Sequence, residues 1–125
     1  MALKNQNKKT DLGMIKVHRE VISSIASLAA QEVDGVYGLK PNIMSSMYEA
    51  FGFKGSRSGV KVELGEADAK VVLFIIAEYG VNIPEVASAV QDNVRQAIDK
   101  MTGLAALEVN VEVVGISPKK KREGA

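Results

Sequence analysis

From Gly80 to Gly115 the chain reads Gly80-Val-Asn-Ile-Pro-Glu-Val, then Val90 and Val94, Met101-Thr-Gly-Leu, and Val109-Asn-Val-Glu-Val-Val-Gly115. That order spells a helix start, a helix, a helix stop and a strand. Pro84 falls in the first turn, where a missing N–H is no loss, and Asn82 is placed to cap it. Val86, Val90, Val94, Ala97 and Met101 form the stripe expected to be buried. Glu85, Ser88, Arg95, Gln96, Asp99 and Lys100 fall on the wet side, and Gly103 supplies the stop. In the strand, Leu107, Val109, Val111 and Val113 alternate with Glu108, Asn110 and Glu112. Every apolar position has a packing role and nothing is equipped for catalysis. The segment is scaffold, so function has to come from what the surface binds.

The upstream half adds matching parts. Met14–His18 alternates weakly as a short strand. A helix from Arg19 to Val33 follows, with Val21, Ile22, Ile25, Ala26, Leu28, Ala29 and Val33 recurring at three- and four-residue spacing. Ser23, Ser24, Ser27, Gln31 and Glu32 fill its other side, and Asp34-Gly35 ends it. Val60, Val62 and Leu64 alternate with Lys61 and Glu63, and after the turn-like Gly65–Asp68 a second strand runs from Lys70 to Tyr79. The order β-α-β-β-α-β predicts an α+β fold: a two-layer sandwich with two main helices on one face of a mainly antiparallel sheet. A ferredoxin-like arrangement is one way to wire it.

At 125 residues there is room for one domain that buries roughly two-thirds of its unfolded surface. With no cysteine, disulfides and thiolate chemistry are excluded. No apolar run approaches the roughly 18–20 residues of a membrane span, and the N-terminus has none, so a soluble chain is expected, with any membrane association peripheral or through a partner. Charge is uneven: residues 1–12 carry +2, residues 117–125 carry +3 and residues 13–116 carry −4. The expected division is a basic flexible tail over 1–12, one domain over 13–116, and a second basic tail over 117–125. Lys119, Lys120, Lys121 and Arg122 suit phosphates or anionic lipid. As short solvated tails they need no partner, and with no aromatics beside them and no basic stripe in the core, nucleic acid is not expected.

The alternation breaks in one strand. In Lys70–Tyr79, Val71, Leu73, Ile75 and Ala77 share one face, while Val72, Phe74 and Ile76 occupy the other. A central strand with an apolar outer stripe needs a cover, since burying Phe74 and Ile76 is worth roughly 1.5–3 kcal/mol each. Two covers are available. One is the chain's own Asn42–Phe51, whose Ile43, Met44, Met47, Tyr48 and Phe51 fall on one helical face. The other is a partner or a second copy, to which a Met-rich surface adapts well. Gly52, Gly55 and Gly59 make the link from Phe51 onward a tether that suits both.

Nothing in the chain converges on chemistry. His18 is the only histidine and has no partner for metal or a nucleophile. Glu108 and Glu112 share a strand face about 13 Å apart, too far for an acid–base pair. Gly52, Gly55 and Gly59 neither follow a strand nor open a helix, so they fail the phosphate-loop context. No catalytic residue, cofactor or metal site is expected.

Two stretches carry a family resemblance. Gly13-Met-Ile-Lys-Val and Val21-Ile-Ser-Ser-Ile-Ala-Ser-Leu-Ala-Ala-Gln-Glu-Val-Asp-Gly-Val36 resemble the opening motif of the alkaline-shock-protein/Gls24 family. Tyr79-Gly-Val-Asn-Ile-Pro-Glu-Val, Val90-Gln-Asp-Asn-Val94, Met101-Thr-Gly-Leu104 and Val109–Gly115 resemble its second half. The resemblance spans Gly13 to Ile116. It implies a bacterial cytoplasmic protein of cell-envelope homeostasis and stress response, without established catalytic residues. It also implies self-association or docking on a membrane-associated partner at the inner face of the membrane. A small-ligand-sensing regulator of lipid or envelope metabolism, with a pocket beneath residues 42–51, is the alternative.

Overall fold

The computed structural model describes residues 7–40 and 59–119. Strands β1 (Asn7–Thr10) and β2 (Gly13–Lys16) precede helix α1 (Arg19–Gln31). Strands β3 (Val36–Leu39), β4 (Val60–Leu64) and β5 (Asp68–Glu78) lead to helix α2 (Ile83–Thr102) and strand β6 (Ala105–Ser117). The expected α+β sandwich is present. β5 is the spine of the main sheet. β4 pairs antiparallel with its first half and β3 antiparallel with its second, so the two lie end to end along one side of it. β6 runs parallel to β5 on the other side, and such a pair needs a crossover, here supplied by α2.

α2 forms where its sequence punctuation says. Asn82 Oδ1 accepts the Glu85 N–H at 3.0 Å, Pro84 sits in the first turn, and Gly103 takes the left-handed conformation at φ 78° with its N–H on the Asp99 carbonyl. The buried stripe is Val86, Val90, Val94, Ile98 and Thr102, a run of four-residue steps. This corrects the expectation at Met101, which is 68% exposed. Thr102 is buried in its place because its hydroxyl works there, donating to the Ile98 carbonyl at 2.6 Å and accepting from the Leu104 N–H at 3.1 Å.

Helix α1 is corrected in the same way. Ile22, Ser23, Ile25, Ala26, Ala29 and Ala30 are buried, whereas Val21 and Leu28 are exposed. The small residues on the inner side allow close approach to the sheet and to α2. Asn93 of α2 bridges the two helices: its Nδ2 donates to the Ala29 carbonyl at 2.7 Å and to Glu32 Oε1 at 3.1 Å. Ala29 lies in the last turn of α1, where carbonyls have no intrahelical partner, so Asn93 serves as a cap from a neighbouring helix. α1 covers β3 and β4 while α2 covers β6, and Val71, Leu73 and Ile75 of β5 point into the core they enclose.

Two features depart from the expected order. The first strand pairs with β1 in a hairpin of its own, with Lys9 opposite Met14 and Lys8 opposite Ile15, and not with the main sheet. Residues 7–12, assigned by charge to a tail, supply its partner strand and turn. Composition could not show this, because a strand is defined by the chain it bonds to. β3 was not expected at all, since four residues including Gly38 offer too little alternation to read.

Candidate functional site

Cross-strand partners share a face, so the registers map the side of the sheet turned away from the helices. Its first row is Glu63–Lys70–Glu108, with the lysine between two carboxylates, and its second is Lys61–Val72–Asn110. Phe74 comes next, opposite Glu112. On its other flank the Lys40 N–H donates to the Phe74 carbonyl and the Phe74 N–H to the Gly59 carbonyl, both at 2.9 Å. The last row is Gly38–Ile76–Gly115. The apolar stripe therefore lies where the sequence placed it. Val72 and Ile76 are half-buried, and Phe74 is 3% exposed although it stands outside the helix-side core.

The Gly38–Ile76–Gly115 row is the unusual part. Register shifts flank it on both sides, between Val36 and Gly38 and between Ile75 and Ile76. Neither glycine has a positive φ, so the backbone does not require glycine at either place. Among the described residues, a Cβ at Gly38 would meet nothing within 4 Å, and one at Gly115 only Ile76 Cγ1 at 3.8 Å and Cγ2 at 4.0 Å. Glycine inside a strand sacrifices about 0.5–1 kcal/mol relative to alanine, and here it leaves half-buried Ile76 with no side chain on the strand position to either side of it. The exposed side chains of Tyr37 and Val114, each next to one of these glycines in the chain, border the row. Glycine in a strand marks a bulge, as at the two register shifts here, or a place where another chain or a ligand approaches closely.

The other expected site residues fall elsewhere. Ile43, Met44, Met47, Tyr48 and Phe51 lie outside the described residues, as do Lys120, Lys121 and Arg122. Lys119 is exposed, with its N–H on Ser117 Oγ. His18 sits at the N-terminal boundary of α1 without a side-chain cap bond. Among the described residues, no group of three or more His, Cys, Asp or Glu is placed to hold a metal, and no helix is long and apolar enough to cross a membrane. A shallow groove of about 200 Å³ lies beside β6, lined by Gln91, Asp92, Arg95, Ala106 and Val109. Its polar groups are engaged with each other and with the backbone: Gln91 Nε2 donates to the Val109 carbonyl at 2.9 Å, and Arg95 faces Asp92 at 3.7 Å. The glycine row went unread in the sequence because Gly38 lies in an unrecognised strand and Gly115 stood where β6 was expected to end.

Residues 7–118 match the model of the alkaline-shock-protein family, described as having a cell envelope-related function. The Bacillus subtilis (strain 168) protein YqhY is 40% identical over 114 residues, covering 91% of this chain and 84% of that one. Streptococcus pyogenes proteins named stress response regulator gls24 homolog are 32% identical over 112 residues. That match covers 89% of this chain, which spans only 63% of the streptococcal proteins' length. Among solved structures, MamM-CTD superposes with a TM-score of 0.50 at 14% identity, covering 78% of this chain and 98% of that one, a likeness of fold alone. The chain belongs to the alkaline-shock-protein/Gls24 family, of cell envelope-related function, as its two motifs implied.

Proposed function

We propose that this domain is a non-catalytic interaction module of the envelope stress response, which docks on a membrane-associated protein or on a second copy of itself. The single observation that carries this reading is the Gly38–Ile76–Gly115 row. It is an apolar position between two glycines, at two register shifts, where among the described residues nothing lies closer than 3.8 Å to a Cβ built on either glycine. An apolar side chain from a partner fits against Ile76 in a way that it does not fit against a fully dressed sheet. Half-buried Val72 lies further along the same face of β5, beyond the already buried Phe74, and Lys61, Glu63, Lys70, Glu108 and Glu112 give the face a charged surround that favours one orientation of the partner.

The test compares the tagged chain with its Ile76→Lys variant, recovered from gently lysed cells with membranes included and washed at high salt to remove contacts made by basic residues alone. The wild type is expected to retain a defined membrane-associated protein or untagged copies of itself. The variant, shown to be folded by circular dichroism, is expected to lose them. An identical set of retained proteins in both samples would overturn the reading.

A further inference from the structure

The β1–β2 hairpin is an arm. Every residue from Thr10 to Lys16 is exposed, and among the described residues Val17 is the first to pack against the core. A lone two-stranded hairpin is marginally stable in water. This one adds an unusual composition for an exposed ribbon. Leu12, in the turn, is fully exposed, and Met14 and Ile15 of β2 are 60% and 54% exposed. Consecutive strand residues point to opposite faces, so the arm is apolar at its tip and on both sides. Lys9 and Lys8 stand opposite Met14 and Ile15, and Lys16 is at the base. With Asp11 in the turn, residues 7–16 carry a net charge of +2.

We infer that this arm inserts into the interface of an anionic lipid bilayer. A protein surface meets one face of a ribbon and leaves the apolar side chain on the other face in water. A lipid medium surrounds both faces at once. The order of groups along the arm also matches the order of layers in a leaflet, with Leu12 leading, Met14 and Ile15 behind it, and the lysines alongside and at the base. Two four-residue strands reach about 13 Å, enough to bring the tip roughly 5–10 Å into the headgroup boundary, while Asp11 opposes deeper entry. Each lysine near an anionic surface adds attraction that salt weakens. The arm lies in β1 and β2, apart from the strip on β5, so this inference does not depend on the docking reading.

The chain has no tryptophan, so Leu12→Trp makes a lone reporter at the tip without touching the core. The full chain would be mixed with phosphatidylcholine vesicles and with vesicles that also contain phosphatidylglycerol. A blue shift of the Leu12→Trp emission with the anionic vesicles alone is expected, and no shift for Leu28→Trp on exposed α1. In co-sedimentation, Leu12→Glu should bind the anionic vesicles at least about tenfold more weakly than wild type, and Leu28→Glu, the same change on exposed α1, should bind as wild type does. Unchanged emission at position 12, or vesicle binding indifferent to Leu12→Glu, would overturn the proposal. A blue shift that appears without lipid and grows with protein concentration would also overturn it, and would assign the arm to a second copy.

Discussion

Alanine at Gly38 and Gly115 should make the domain more stable and less able to dock. Neither glycine has a positive φ, and the nearest described atom to a new Cβ is Ile76 Cγ1, at an ordinary contact distance of 3.8 Å from position 115. Among the described residues alanine therefore fits both positions, and by restricting the unfolded chain it should gain about 0.5–1 kcal/mol at each. The sites flank Ile76 without touching each other, so the double variant should gain about 1–2 kcal/mol, which raises the melting temperature by roughly 4–8 °C in a domain of this size. Scanning calorimetry reads the first effect, and the membrane-inclusive pull-down reads the second. Two methyl groups beside Ile76 occupy the space a partner would use, so retention of the partner should fall as the melting temperature rises. A lower melting temperature would refute the reasoning, because it would mean the fold itself needs glycine at this row. A higher melting temperature with undiminished docking would separate the glycines from function.

Three further substitutions test how the scaffold is held. Asn93→Ala removes the bonds to the Ala29 carbonyl and Glu32 and should lower stability by about 1–2 kcal/mol in urea unfolding, with an unchanged slope. Thr102→Val keeps the shape but leaves the buried Leu104 N–H without the hydroxyl it uses, for a loss of about 1–3 kcal/mol by the same assay. At Gly35, φ is 97° and a Cβ would come within 2.7 Å of Val86 Cγ2. Gly35→Ala should therefore cost more than about 1 kcal/mol, opposite in sign to the alanines at 38 and 115.

What the sequence made legible follows from the range of each signal. Asn82, Pro84 and Gly103 act on backbone within a few residues of themselves, so both ends of α2 could be read without a structure. The faces of β4, β5 and β6 were legible because period-two alternation survives any strand order. What could not be read depends on partners distant in the chain. Met14 looks like the start of the main sheet until β1 is seen opposite it. Val21 and Leu28 satisfy helical spacing as well as Ile22 and Ala29 do, and only the position of the sheet and α2 decides which side is buried. Asn93 finds its partner on another helix, and only the fold brings the Ala29 carbonyl to 2.7 Å from it. For the candidate site, the outer stripe of Val72, Phe74 and Ile76 was visible as a break in alternation. The glycines that frame it come from residues 38 and 115, and only registers on both sides of β5 bring them together.

The most direct test of the docking claim is site-specific photo-crosslinking in living cells from Val114, which borders the glycine row, with Gln96 on the exposed side of α2 as the control. An adduct from position 114 with a second copy of the chain or a membrane-associated protein is expected, and none from position 96. No adduct at 114, or the same adduct from both positions, would contradict it.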